Sequence, residues 1–277
     1  MQESSLPETP TETISGATNV IFKEELASSG WKIAVGIVLL EMVLFYLQAP
    51  FEILFIAPVF TISLWYGNAR GKAEIKFWKE FAQSHGWFYE EDKSVSDEKA
   101  LLFRQGDGPT VLHAVRGVHN GQPLSLFEYE YTTGSGKYKT TYSYTIFEIK
   151  FIGAFPHLYL NNTKNGNYLN LFETLRLSKL SLPAEFEKKF VLYAPKEYEI
   201  EALAIFSPDT LQFLLDAKWS YDLELVESEL IIVRESHILG RAELEAVLSN
   251  VCGLVDHLSP KLNRFRFSPI GDHPSNL

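Results

Sequence analysis

The sequence predicts an α+β protein: an N-terminal transmembrane helical hairpin, then a mainly antiparallel β domain with flanking helices, divided into two lobes. Three observations carry this. Residues 33–66 are almost wholly apolar and hold no Lys or Arg. Residues 110–160 are rich in aromatic and β-branched side chains between turn signals, the pattern of strands joined by hairpins. Residues 241–258 repeat apolar positions at helical spacing, from Leu244, Val247 and Leu248 to Leu258. The expected divisions are a disordered tail over 1–26, the hairpin over 31–67, a linker helix and β lobe over 71–167, a second α+β lobe over 168–260 and a polar tail over 261–277.

The tail is rich in Ser, Thr, Glu and Pro with no sustained period, a composition that does not repay the entropy of ordering. A membrane-spanning helix needs about 20 apolar residues. The run 33–66 is too long for one untilted span and just long enough for two. Pro50 marks the break, because it lacks an N–H and pushes Ala49 out of the helical region. Trp31 and Lys32 flank the first arm, and Trp65 and Tyr66 close the second, as residues that settle at headgroup depth do. With Arg70 and Lys72 they are the expected membrane anchors. Basic residues lie on both outer flanks and none lies in the turn, which puts both termini in the cytoplasm.

Each arm is short, so a re-entrant hairpin dipping into one leaflet stands beside a full span. A hairpin buried in a soluble protein would alternate polar and apolar faces, and these arms are apolar all round. A signal peptide is disfavoured by the late start and the acidic residues ahead of it. Glu41 is the candidate intramembrane polar site. A carboxyl at that depth needs a partner, which Thr61, Ser63 or a second copy of the chain would supply. A proton or ion pathway is the sharper reading of it, and an oligomer contact the plainer one.

The body follows in order. Ala73–His85 reads as a helix ended by Gly86, and residues 96–104 as a short helix capped by Ser96. Thr110–Gly117, Leu124–Tyr131 and Tyr138–Phe151 are expected strands, with His119-Asn120-Gly121 as a hairpin turn. In the last two the apolar residues change phase midway, which calls for a bulge or for burial on both faces. Residues 152–166 read as a turn-rich connection. Beyond 168 come a strand at 190–193, helix or strand over 198–205, and a helix opened by Ser207-Pro208-Asp209. A hairpin of 222–226 with 229–234 and a helix from Arg241, stopped by Pro260, complete the chain.

Two stretches resemble a family of bacterial membrane proteins that carry a short two-helix anchor ahead of a soluble domain of unknown function. One is Phe127-Glu128-Tyr129-Glu130-Tyr131-Thr132-Thr133-Gly134-Ser135-Gly136-Lys137, after Arg116-Gly117 and Gly121. The other runs from Phe186-Glu187-Lys188-Lys189-Phe190-Val191 through Ser207-Pro208 and the following helix to Leu230-Ile231-Ile232-Val233. The resemblance implies this layout and a place in the bacterial inner membrane. It brings no activity, cofactor or catalytic residue.

Chemistry is sparse. The loop Thr133-Gly134-Ser135-Gly136-Lys137 lacks the spacing and the following helix of a phosphate-binding loop, so its glycines serve a turn. Seven scattered His residues include no i,i+4 pair, and the single Cys252 beside an apolar helix face reads as a buried thiol. No catalytic, cofactor-binding or metal-binding constellation is legible, and a net charge of −10 argues against nucleic acid as a partner. The expected function is a membrane-anchored, non-enzymatic domain that binds or scaffolds a protein, with membrane lipid as its other partner. A membrane-associated enzyme or lipid handler with a cavity between the lobes is the alternative. The candidate binding surface is Tyr129, Tyr131, Tyr138, Tyr142 and Tyr144, since Tyr offers area and a polar tip together.

Overall fold

The computed structural model describes residues 14–48, 50–91, 93–95, 100–165, 177–237 and 240–264. Residues 1–13 of the expected tail, the Ser96 cap, residues 166–176 and the tail from 265 onward lie outside the described residues. The chain forms two units, residues 1–81 with 238–245, and residues 82–237 with 246–277.

The first unit is helical. Helix α1 spans Ile14–Tyr46 and α2 spans Phe51–Ser84. The break between them falls where Pro50 predicts, and Gln48 turns the chain with a left-handed φ of 53°. Both helices outrun their expected bounds. Residues 14–26, assigned to the tail on composition, are helical, because extending a formed helix is far easier than nucleating one. The linker helix expected from Ala73 is continuous with the second arm: Gly67 and Gly71 weaken that stretch without breaking it. Ala69, Ala73, Phe77 and Phe81 recur every four residues as a buried stripe, with Trp78 beside them.

The second unit is built on one seven-stranded antiparallel sheet. Its strands are β1 (Phe88–Glu90), β2 (Asp107–His119), β3 (Gln122–Thr133), β4 (Thr140–Asn162), β5 (Leu177–Lys179), β6 (Phe190–Pro195) and β7 (Asp222–Glu235). The 23-residue β4 is its spine. One edge of β4 pairs with β3 near its start and with β6 at its end, while the other edge pairs with β7. The expected division into two lobes near 168 is therefore replaced by a single sheet that strands from both sides share. The misreading has a local cause. Gly153 and Pro156 look like a turn, but they sit in a stretch where the register with β7 shifts between Lys150 and Leu158 and the strand carries on. The 222–234 hairpin is likewise one strand, with Glu227 at φ 52° as its irregular residue.

The phase change in β3 and β4 comes from burial on both faces. Pairing from Leu124↔Ile149 to Thr133↔Thr140 is unbroken, so no bulge is needed. One face carries Leu124, Leu126, Phe147, Ile149, Leu230 and Ile232, and the other Phe127, Tyr129, Tyr131, Tyr144, Ile146 and Val233, all buried. The segment 100–104, a turn and a short 3₁₀ stretch where a helix was expected, lays Ala100 and Leu102 on the aromatic face. Helices α3 (Ala184–Glu187), α4 (Glu199–Ile205), α5 (Pro208–Asp216) and α6 (Arg241–Leu262) complete the described elements. Pro260 lies in the last turn of α6 and does not stop it before Leu262.

Candidate functional site

Two features fit a functional reading, one in each unit. The first is the apolar part of α1. Phe22–Tyr46 is long and apolar enough to cross a membrane, and no residue of its most apolar 18-residue window is buried inside the protein, although Phe22 at its start is. Among the described residues it is the one helix that meets both conditions. The apolar part of α2, Phe51–Tyr66, has 16 residues at 1.5 Å each, about 24 Å against a hydrocarbon core of about 30 Å.

Of the expected anchors, Trp31, Lys32, Arg70 and Lys72 are exposed and Trp65 is half-buried. Tyr66 is exposed too, with its ring edge-on to Phe22 at 4.8 Å. Arg70 pairs with Glu74 at 3.0 Å, one turn on. Glu41 is half-buried, and its Oε1 is sealed with no hydrogen-bond partner. The hydroxyls expected to serve it do not: Thr61 donates to the Ala57 carbonyl and Ser63 to that of Val59, each at 2.8 Å within α2.

The second feature is the tyrosine column on the sheet. Cross-strand register sets Tyr131 opposite Tyr142, and Tyr129 opposite Tyr144 with Glu235 next in line. Tyr131 stacks on Tyr142 at 5.2 Å and on Tyr144 at 5.7 Å, and its hydroxyl lies 3.3 Å from that of Tyr144. Gly106 passes against the Tyr131 ring so closely that a Cβ there would sit 2.2 Å from Cδ2. Burial pushes the Tyr129 phenol up to about 12, and Tyr144 higher still. The Tyr129 hydroxyl is buried without a hydrogen-bond partner.

The five expected surface tyrosines thus separate. Tyr129, Tyr131 and Tyr144 belong to the core, while Tyr142 is 41% and Tyr138 75% exposed. Tyr138 ends the turn between β3 and β4, where Gly134 and Gly136 take positive φ as the loop's spacing implied.

Sequence reasoning missed two polar networks. Asp222 and Glu224 are fully buried in β7. Asp222 accepts the Asn162 N–H at 2.7 Å, the Tyr159 hydroxyl at 3.1 Å and the Asn165 amide at 2.9 Å. Glu224 accepts the Leu101 N–H at 2.8 Å and pairs with the His157 Nε2. The signal was available, since two acids two apart interrupt an apolar strand and so point inward on one face. These bonds commit the carboxylates to backbone and side-chain donors, which is what buried acids need for stability.

The other network joins α5 to α6. Lys261 Nζ donates to Ser207 Oγ and Asp209 Oδ2, each at 2.6 Å, and to Thr210 Oγ1. Those bonds, with one from Ser207, hold the Asp209 carboxyl well below its usual range. Burial and the Lys261 ammonium lower His257, whose ring stacks on Phe213. Cys252 is half-buried, and burial with the nearby Asp256 pushes its thiol up to about 11. Among the described residues no group of three or more His, Cys, Asp or Glu is placed to hold a metal ion.

No protein-family model matches the chain, and no curated protein matches it. Among solved structures it is similar to the crystal structure of the mycobacterial trehalose monomycolate transport factor A, TtfA. The TM-score is 0.48 at 14% identity, over 66% of this chain and 95% of that one. At that score and identity the likeness carries no argument about function.

Proposed function

We propose that this chain is a membrane-anchored, non-enzymatic binding domain that holds a protein partner at a bacterial inner-membrane surface. The observation that supports it is the surface of α1. Val38, Leu39, Met42, Val43 and Phe45 are each more than half exposed. Leaving such side chains in water forfeits about 1.5–3 kcal/mol apiece, so a contiguous face of them has lipid as its natural solvent.

The half-buried positions recur at helical spacing on both arms, at Ile33, Ile37, Glu41 and Leu44 on α1 and at Leu54, Pro58, Thr61 and Trp65 on α2. In this reading the arms pair along those stripes and the hairpin crosses the bilayer, with both termini cytoplasmic by their basic flanks. The sheet unit is the binding module. Of the tyrosine column it displays one end, Tyr142, which is 41% exposed beside the buried Tyr131 and Tyr144.

The test uses the full chain in its own membrane with a photo-crosslinker at position 142. The expected result is retention in the membrane after alkaline carbonate washing and a protein adduct that disappears when 31–67 is deleted. Release by carbonate without detergent overturns the anchor, and an adduct unaffected by the deletion overturns the scaffold role.

A further inference from the structure

Resting on the anchored reading, we infer that the tip of the β3–β4 hairpin, Thr133–Thr140, is a second membrane contact that takes the anionic headgroups of a phospholipid surface. The chain holds 35 acidic residues against 25 basic, yet Tyr131–Phe147 contains no Asp or Glu while Lys137 and Lys139 fall inside it. Every residue from Gly134 to Tyr142 is exposed. The Lys137 ammonium lies over the Tyr138 ring, 5.2 Å from its centre, so a cation and an amphipathic ring leave the turn together. That pairing suits a bilayer interface, where a tyrosine ring rests at headgroup depth and an ammonium reaches phosphate.

The tip is also held in shape. Tyr138 N–H donates to the Ser135 carbonyl at 3.2 Å and Lys139 N–H to that of Gly136 at 3.3 Å. Behind them the Tyr142–Tyr131 stack ties the hairpin to the core. The nearest acids stand at its base, the first of them the exposed Asp107 of β2, which pairs in register with Thr132. Glu130 accepts the Ser143 hydroxyl at 2.8 Å, and Glu235 pairs in register with Tyr144. They limit how deep the hairpin settles and leave its end positive. An acidic protein surface offers the same charge. The bilayer is favoured because, on the anchored reading, the same chain already holds an apolar helix in lipid, which raises the local concentration of headgroups over that met by a free domain.

The experiment uses the full chain with Cys252→Ser and Ser135→Cys, the new thiol carrying an environment-sensitive fluorophore. It is reconstituted into phosphatidylcholine vesicles and into vesicles with one part phosphatidylglycerol to two of phosphatidylcholine, each with a headgroup-level quencher. Blue-shifted, quenched emission is expected in the anionic vesicles, reversed by high salt. Lys137→Gln with Lys139→Gln should lower the docked-to-free ratio about 30-fold, from two charges near the surface. Emission that reports water in both lipids, from a chain that floats with both, overturns the tip contact and leaves the anchor standing. A chain that floats with neither overturns both. Shielding that arises only on adding membrane proteins assigns the tip to a protein partner and overturns the inference.

Discussion

Replacing Asp222 by Ala would decide whether the buried acids of β7 hold the fold together. The carboxylate accepts from the Asn162 backbone, the Tyr159 hydroxyl and the Asn165 amide. Hydrogen bonds to a charged group contribute about 1.5–3 kcal/mol each. Tyr159 keeps a second acceptor, Asn161 Oδ1 at 3.2 Å, and Asn165 is partly solvated, so the full sum does not apply. The buried Asn162 N–H is left without its acceptor. A loss of about 4 kcal/mol follows, and Asp222→Asn, which keeps one acceptor oxygen, should lose about half of that. With a urea slope of about 2 kcal/mol/M, the midpoint for Ala falls by about 2 M. Tryptophan fluorescence of the full chain in mild detergent reads it. A loss under about 1 kcal/mol would refute the structural assignment.

Tyr129→Phe removes a buried hydroxyl that has no partner and should leave the protein as stable as before or up to about 2 kcal/mol more so, measured in the same urea titration. The raised Tyr129 phenol has the opposite consequence in alkali. Its stabilisation is whole below pH 10 and is lost as pH rises through about 12, so a late phase of phenolate absorbance, separate from that of the exposed tyrosines, should accompany unfolding. Gly134→Ala puts a Cβ 2.5 Å from the Tyr138 carbonyl at φ 78° and should cost about 1–3 kcal/mol, read as faster amide exchange across the β3–β4 turn. Cys252, with its thiol near 11, should alkylate at pH 8 about 100-fold more slowly than an ordinary thiol; equal rates would mean that the site is open. Because the Asp209 carboxyl is depressed by Lys261, its contribution is present above the usual carboxylate range and lost as pH falls below it. Lys261→Met should therefore raise the pH at which α5 and α6 part, followed by exchange in the last turns of α6.

What the sequence made legible was whatever local chemistry decides. Asn120-Gly121 sets the β2–β3 turn, Ser207-Pro208-Asp209 opens α5, and the spacing of Leu244 to Leu258 places the buried face of α6. The strand alternation around Tyr129 was visible too, but which tyrosines face water was not, because that depends on what covers them. Ala100 and Leu102 lie on that face from a segment with no strong period of its own. The joining of β4 to β7 escaped for a related reason. Gly153 and Pro156 carry turn chemistry, and only the pairings on either side of them, with a strand more than sixty residues away, carry the strand past them. The fate of Glu41 likewise turned on Thr61 and Ser63, whose hydroxyls prefer their own helix.

The length of β4 has a consequence for synthesis. Its outer partner, β7, ends 73 residues after β4 does. At about 5–20 residues per second, the ribosome leaves that edge unpartnered for about 4–15 s. Through that interval the nascent meander of β2, β3 and β4 exposes a row of unmet amides flanked by phenylalanine and isoleucine. On the proposed anchored reading, early insertion of α1 would hold each such intermediate apart from its neighbours and so guard the growing chain against edge-to-edge aggregation.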